Sequence, residues 1–476
     1  MVGPPPKLAT RAGYRIHDEN RTHLRREAAA PRRQSGGAVT SERPKNLLFG
    51  VVVRPLQAFV RLEASSGILL LLCAVGALVW ANLHGPSYRG VFAYPLVVGA
   101  GNAVVRFTFA ELINDGLMTI FFFVVGMEIK RELVVGELNS VPKASLPAIA
   151  AMGGMIVPAG IFWACTRGTP AQSGWGIPMA TDIAFCVGVL TVLGTHVPRP
   201  LVVFVTALAI FDDIGGILVI ALFYGHGIHG PWLLGAGALS LLLFMMNRQY
   251  VKNGLAYAVV GAALWYAFHH SGIHATICGV VAGLMIPARL QRSCREVIRE
   301  LAAHVNDVEQ CSSDDELQGA EILMIEEKLE ELEAPLNRFV HLWHPFVAFL
   351  IMPLFALANS GVSLRGVGLS TLAAPVALGT TLGLVIGKQL GIFGFTVLAV
   401  RLGLAPMPGN ASNRKLYGVS VVAGIGFTVA LFIAALAYGD APEYLDEAKL
   451  AILLGSLVAG VLGFVLLRLP TKHEAT

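Results

Sequence analysis

The sequence predicts an all-α polytopic membrane protein with about twelve transmembrane helices. Three observations support this class: the composition, the length of the apolar segments and the placement of basic residues. The 476-residue chain is 55% hydrophobic and only 14% charged, with a mean hydropathy of +0.66. Soluble proteins carry about 25% charged residues. The composition therefore excludes a soluble globular protein.

Twelve apolar segments approach the roughly 20 residues that an upright membrane helix needs. They are residues 67–83, 110–127, 145–165, 177–194, 200–224, 231–247, 254–268, 272–287, 344–359, 375–400, 416–438 and 449–469. The seventh and eighth segments are short, so we expect them to pack inside the protein.

Basic residues set the orientation, because loops rich in Lys and Arg remain in the cytoplasm. With a cytoplasmic N-terminus and alternating loops, most basic residues fall inside. The outer loops receive only Arg89, Arg106, Arg167, Arg365 and Lys449. Both termini are therefore expected in the cytoplasm, and the net charge of +4 reflects topology rather than binding of nucleic acid.

Two polar regions flank or interrupt the apolar segments. Residues 1–46 have no apolar core of 7–15 residues and so do not form a secretory signal. Residues 1–60 are predicted to be a disordered basic cytoplasmic tail. Residues 61–476 form the predicted membrane transport domain, with an acidic cytoplasmic insert near 288–335. The six cysteines form no CxxC pair, and no GxxxxGK[ST] motif occurs. The chain therefore offers no cysteine metal site and no P-loop for ATP.

Five ionisable residues lie deep in the predicted spans: Asp115, Asp182, Asp212, Asp213 and Lys388. A charge at the bilayer centre costs at least ~3 kcal/mol, so these residues indicate an ion or proton site. A structural salt bridge is the alternative, and both interpretations can hold. Successive helix residues point about 100° apart, so one of the adjacent carboxylates can pair with Lys388 while the other faces a water-filled cavity.

Two apolar segments contain helix-breaking residues beside polar ones. In the first they are Gly174, Gly176, Pro178, Thr181 and Asp182, and in the second Gly424, Gly426 and Thr428. Proline removes a helix hydrogen bond and glycine weakens a helix. Interrupted spans in the two halves of a chain indicate a transporter site between inverted repeats. Carboxylate, hydroxyl and carbonyl oxygens suit a hard cation such as Na⁺. Close helix packing is the alternative reason for the glycines.

A third group of titratable residues falls near span ends. It comprises Glu128, Arg131, Glu132, His274, His341 and His344. Glu128 and Glu132 share one helix face, and histidine titrates near physiological pH. A mouth lined by these residues could sense cytoplasmic protons; an ordinary charged helix end is the alternative.

Several strings occur in a fixed order: INDGLMTIFFFVVGMEIKREL, GWGIPMATDIAF, ALAIFDDIGGILVIALFY, HPFVAFLIMPLFALANSGVSL, LVIGKQLGI and GIGFT. With them the chain resembles the NhaA-type bacterial Na⁺/H⁺ antiporters from about Leu62 to Leu469. The resemblance implies twelve spans with inverted repeats, broken helices that cross in spans four and eleven, and a place in the bacterial inner membrane.

The resemblance also implies a secondary transporter, not an enzyme, that exchanges cytoplasmic Na⁺, and also Li⁺, for external H⁺. This exchange would be electrogenic, pH-regulated and free of any cofactor. The implied cation and proton ligands are Asp213, Asp182 and Thr181, with Asp212 paired to Lys388, and with Asp115, Gly424, Gly426 and Thr428 in support. The implied pH-response residues are Glu128, Arg131, Glu132, His274, His341 and His344. Val340 stands where the family carries an acid, so the pH set-point does not carry over.

The expected partners are the lipid bilayer, Na⁺, Li⁺ and H⁺, with neither nucleic acid nor ATP. The oligomeric state is open, with a homodimer as one alternative. A Na⁺-coupled solute symporter is the alternative function, because the same broken-helix site could serve it. A membrane prenyltransferase would need further acids after FDDIGG, and an intramembrane aspartyl protease would need a GxGD motif; neither is present.

Overall fold

The computed structural model describes residues 63–100, 103–225, 227–290, 292–310, 323–326, 328–329, 331–365 and 367–469. The tail predicted at residues 1–60 lies outside these ranges. Within them nearly all regular structure is helical, and the predicted all-α membrane class is confirmed.

The helices and strands follow one another in this order: α1 Glu63–Leu83, α2 Gly85–Phe92, β1 Pro95–Ala100, β2 Ala103–Thr108, α3 Phe109–Val134, α4 Val141–Thr166, α5 Pro170–Met179 (a 3₁₀ helix), α6 Ile183–Leu193, α7 Arg199–Phe223, α8 Gly230–Arg248, α9 Gly254–Ser271, α10 Ile277–Leu284, α11 Cys294–Gln310, α12 Pro335–Asn359, α13 Pro375–Arg401, α14 Asn413–Val422, α15 Phe427–Tyr438 and α16 Pro442–Arg468. Single turns Gly194–His196, Leu369–Leu372 and Pro408–Asn410 lie between them.

In the described part of the chain, nine helical segments are long and apolar enough to cross a membrane. The pair α14 and α15, bent by 46°, makes a tenth span. Two of the twelve predicted spans fall short of that standard. The seventh corresponds to α9, and the eighth contains only the eight residues of α10, a length of about 12 Å.

The short helix α10 packs inside the protein, as expected for the eighth segment. Gly279 and Gly283 face the backbone of α3, where added Cβ atoms would collide with the carbonyl oxygens of Thr119 and Phe123. Glycine therefore permits the close approach. Helix α10 is too short to cross a membrane by itself and packs closely against α3.

A β-hairpin, which the sequence analysis did not predict, connects the first two spans. Strands β1 and β2 pair antiparallel, from Pro95 opposite Thr108 to Ala100 opposite Ala103. Thr108 then forms a capping box with Glu111 and so starts α3. By the predicted orientation the hairpin lies outside the cell.

Three spans contain a widened π-helical turn. These turns are Leu112–Leu117 in α3, Val347–Ile351 in α12 and Gly383–Gly387 in α13. Such turns occur frequently at functional sites. The first contains Asp115, whose side chain is 35% exposed and so is less buried than the sequence predicted. The third directly precedes Lys388, which is fully buried.

Candidate functional site

Two helix breaks lie at the centre of the site. The 3₁₀ helix α5 ends at Met179, and Ala180 and Asp182 adopt extended backbone angles before α6 begins. The second break separates α14 from α15 at residues 423–426. A Cβ at Gly424 would lie 2.5 Å from the Leu384 carbonyl oxygen, so a larger residue could not occupy this position without a shift.

The two broken segments are hydrogen-bonded to each other. The backbone N–H of Asp182 donates to the carbonyl of Ile425 at 2.7 Å, and the Thr181 hydroxyl lies 3.0 Å from the carbonyl of Ala423. Unwound backbone in a membrane protein needs such partners because lipid supplies none. Each break therefore satisfies polar groups of the other, and the broken helices meet as the family resemblance implied.

Asp182 connects both breaks through its carboxylate. Its side chain is 1% exposed and caps the N-terminus of α6, where Oδ1 accepts from the Phe185 N–H at 3.1 Å. Oδ2 accepts from the backbone N–H of Thr428 at 3.1 Å and from its hydroxyl at 2.5 Å. The N-terminal ends of α6 and α15 thus both direct donors and partial positive charge at one carboxylate.

Asp212 forms the predicted ion pair with Lys388. Lys388 Nζ lies 2.5 Å from Asp212 Oδ2, and both side chains are fully buried. Thr181 joins the pair: its hydroxyl lies 2.6 Å from the same carboxylate oxygen and 2.8 Å from Nζ. Since one hydroxyl carries one proton, Thr181 donates either to Asp212 or to the carbonyl of Ala423 at any moment.

Asp213 has a different environment from its neighbour. Its residue is 6% exposed, and in the described ranges neither a hydrogen bond nor an ion pair engages its carboxylate. Lys388 pairs with the adjacent Asp212 and not with Asp213. Asp213 is therefore a buried carboxylate without a hydrogen-bond or ion-pair partner in the described part of the chain.

The donor set suits Na⁺ better than a transition metal. Among the described residues, no three His, Cys, Asp or Glu side chains cluster closely enough to hold a metal ion. The acceptor groups of the candidate site are all oxygen atoms: the carboxylates of Asp213 and Asp182, the Thr181 hydroxyl and the backbone carbonyls of the two breaks. Hard cations prefer such oxygens.

Asp115 and His274 lie together, away from the other predicted pH-response residues. His274 Nε2 is 3.9 Å from Asp115 Oδ1, and His274 Nδ1 is 2.9 Å from the Thr276 hydroxyl. Asp115 and Glu128 are 13 residues apart on α3, a separation of about 20 Å. His274 therefore belongs with Asp115 at the opposite end of α3 from Glu128.

At the other end of α3, the structure brings together two pairs. His344 Nε2 lies 4.0 Å from Glu128 Oε1, and Arg131 lies 3.9 Å from the adjacent Glu132. Glu132 also accepts a hydrogen bond from the Glu137 N–H at 3.0 Å. Glu128 lies in the part of α3 that packs against α7, where Val125 and Ile129 share an apolar cluster with Ile210 and Ile214.

The remaining predicted residue, His341, does not join Glu128. Its side chain is 77% exposed, and Nε2 lies 3.9 Å from Glu333. The preceding Val340 is 3% exposed and packs in the core. The position where the resemblance led us to look for an acid is thus an apolar one that faces away from solvent.

Sequence reasoning missed a polar contact beside Asp115. The Asn359 side-chain amide donates to Asn114 Oδ1 at 2.8 Å and so joins α12 to α3. An amide inside an apolar segment is costly without a partner, which was the available signal. The partner lies 245 positions away and could not be identified without the structure.

The chain is similar to known proteins over most of its length. The family described as "Na⁺/H⁺ antiporter 1" matches residues 57–467. The chain is 62% identical over 426 residues to a Na⁺/H⁺ antiporter NhaA of Anaeromyxobacter sp. (strain Fw109-5), covering 89% of this chain and 93% of that protein.

Two further relatives are similar over comparable lengths. Na⁺/H⁺ antiporter NhaA 1 of Myxococcus xanthus is 59% identical over 430 residues, covering 90% of this chain and 96% of the relative. Na⁺/H⁺ antiporter NhaA of Oleidesulfovibrio alaskensis is 44% identical over 426 residues, covering 88% and 94% respectively.

Proposed function

Since this chain belongs to the Na⁺/H⁺ antiporter 1 family, we propose that it expels cytoplasmic Na⁺ in exchange for external H⁺. It is a multi-pass membrane transporter rather than an enzyme, and Na⁺ and H⁺ are its transported ions. We propose the direction of the exchange, its stoichiometry and the residues that carry the ions.

The observation that carries the proposal is the contrast between the adjacent carboxylates. Lys388 neutralises Asp212 at 2.5 Å, whereas Asp213 has no such partner in the described structure. One carboxylate can be neutralised by Na⁺ or by H⁺, but not by both together. Competition at Asp213 therefore couples release of one ion to binding of the other.

Asp182 supplies the second carboxylate of the proposed cation site. It is held by Phe185 and Thr428, so its position follows the two broken helices. A Na⁺ ion between Asp213 and Asp182 would also find carbonyl oxygens at the breaks. Because α6 and α15 both begin here, a rearrangement of either half-helix changes access to the site.

Two carboxylates for one monovalent cation support electrogenic exchange. If both are protonated on return, two protons enter for each Na⁺ that leaves. Each net charge that crosses 100 mV releases ~2.3 kcal/mol, so an inside-negative potential would help to expel Na⁺. Li⁺ has the same charge and the same preference for oxygen ligands, and we include it as a second transported cation.

The cytoplasmic pair Glu128–His344 is the proposed origin of pH regulation. Val125 and Ile129, on either side of Glu128 in α3, pack in one apolar cluster with Ile210 and Ile214 of α7, on either side of Asp213. A nearby charge changes how tightly a buried carboxylate holds its proton. The distribution of Lys and Arg among the loops supports cytoplasmic positions for both termini. Expulsion of cytoplasmic Na⁺ would place the protein in the inner membrane.

Uptake of ²²Na⁺ into proteoliposomes tests the function. Vesicles with an acidic interior, diluted into alkaline medium free of organic solutes, should accumulate ²²Na⁺ as protons leave. Protein-free vesicles are the control. Uptake that requires an added organic solute would support the symporter instead, which no present observation favours.

A further inference from the structure

Lys415 is a buried cation that the ion site does not use. It lies in the first turn of α14 and is 4% exposed. A positive charge near a helix N-terminus is unfavourable for that helix. The backbone N–H of Lys415 donates a hydrogen bond to the Ser412 hydroxyl at 3.3 Å. The ammonium group therefore serves partners outside α14.

Those partners include carbonyls at the ends of two other helices. Lys415 Nζ donates to the carbonyl of His196 at 2.7 Å and to that of Leu467 at 3.1 Å. His196 ends the turn that follows α6, and Leu467 lies in the last turn of α16. Helix C-termini leave carbonyls without intrahelical partners and carry partial negative charge, so a cation stabilises both.

The contact of Lys415 with His196 lies at the opposite end of α6 from Asp182, and this position links it to the ion site. Helix α6 runs away from Asp182 toward His196, and α14 runs in the opposite sense, from Lys415 toward the second break. At the break the two half-helices are joined by Thr181 to the Ala423 carbonyl. The half-helix that begins at Asp182 is thus fastened to α14 at both ends.

We propose that Lys415 is a positioning residue for Na⁺ binding. It holds the far end of α6 against α14 and α16, and thereby fixes the direction in which α6 presents Asp182. Binding of Na⁺ requires several oxygen atoms at set distances and therefore depends on the position of Asp182. The later transport steps depend on this position less. This inference rests on the proposed function.

Lys415→Met tests it, because methionine retains the aliphatic packing and removes the ammonium group. We expect the Na⁺ concentration for half-maximal exchange to rise severalfold while the maximal rate stays within about twofold, the pattern of lost ground-state binding. For Lys415→Arg the Na⁺ concentration for half-maximal exchange should return to that of the unaltered protein, because guanidinium can also donate to two carbonyls. Arg414→Met removes the same charge from an exposed neighbour and is the matched control.

The assay separates the inference from the function. If unaltered protein shows no ²²Na⁺/H⁺ exchange, the proposed function fails. If unaltered protein exchanges ions and Lys415→Met needs no more Na⁺ than Arg414→Met, the inference is wrong, as it is if the Arg variant does not recover. Should the Met variant not fold, Lys415→Gln, which retains one donor group, is judged by the same comparison.

Discussion

Lys388 Nζ lies 2.5 Å from Asp212 Oδ2 with both side chains fully buried. Each charge makes the burial of the other tolerable, since an isolated ion in such surroundings is strongly disfavoured. The Thr181 hydroxyl contacts both partners. The pair therefore joins α7 and α13 to the first helix break, and leaves Asp213 as the carboxylate without a protein cation.

Lys388→Ala should destabilise the folded protein by about 3–5 kcal/mol, the usual cost of leaving one buried charge without its partner. Adding Asp212→Asn should recover part of this loss, because the orphaned charge is then absent. Thermal unfolding in detergent measures both variants. A double variant no more stable than Lys388→Ala would show that the pair is not coupled.

Asp213→Asn should abolish exchange and leave the unfolding temperature nearly unchanged. Asparagine has almost the same shape but neither releases a proton nor offers a full negative charge. The substitution breaks no protein hydrogen bond that the described structure contains. Na⁺-dependent proton movement that persisted in vesicles of this variant would refute the assignment.

Thr428→Val should weaken the link between the two breaks. It removes the hydroxyl that donates to Asp182 Oδ2 at 2.5 Å, and the loss of a buried hydrogen bond costs about 1–3 kcal/mol. Thr428→Ser retains the hydroxyl and is the matched control. Equal unfolding temperatures for the two variants would mean that this contact contributes little.

Exchange should rise from acid to alkaline pH, because protons exclude Na⁺ from the carboxylates at low pH. Glu128→Gln should move the midpoint toward acid pH, since a negative charge that helps to retain protons near Asp213 is gone. His341→Gln should leave the midpoint in place, because His341 lies at Glu333 instead. If exchange by both variants depends on pH as it does in the unaltered protein, Glu128 is only a charged residue at an ordinary helix end.

The insert offers a prediction outside the membrane. Arg292 and Lys328 contact Glu300 in α11 and lower its pKa to about 2 from an ordinary 4.5. A lowered carboxyl pKa means that the ion pairs stabilise the insert fully above pH 4.5 and lose this effect as pH falls toward 2. Glu300→Gln should therefore speed amide hydrogen exchange in α11 at neutral pH, and in high salt the difference should shrink. Identical exchange in both proteins would contradict this.

The buried charges and the breaks could be predicted because each is costly in an apolar segment. Asp182, Asp213 and Lys388 stand out in the sequence for that reason, and glycine or proline marks the breaks. The length of the eighth span was harder to predict from the sequence. Its apolar run predicts a crossing, but α10 contains only eight residues. Its close packing against α3 at Gly279 joins segments that are far apart in the sequence.

The remaining features could not be predicted from the sequence because they depend on contacts between distant segments. His274 and Glu128 were grouped by residue type, whereas the fold places His274 beside Asp115. Val340 shows the same limit: it is buried, so Val340→Glu would place a carboxylate in the core rather than add an acid to the cytoplasmic mouth. Lys415 gave one signal, a cation at the wrong end of its helix, but its partner carbonyls belong to other helices.

The central claim, that Na⁺ and H⁺ compete for Asp213 and Asp182, is tested most directly by proton release. Purified protein in weakly buffered detergent solution receives Na⁺ while a pH indicator is followed. Unaltered protein should release protons in proportion to bound Na⁺, with choline chloride as the salt control, and Asp213→Asn should release markedly fewer. Na⁺ binding with no proton release from unaltered protein would contradict the competition and with it the proposed mechanism.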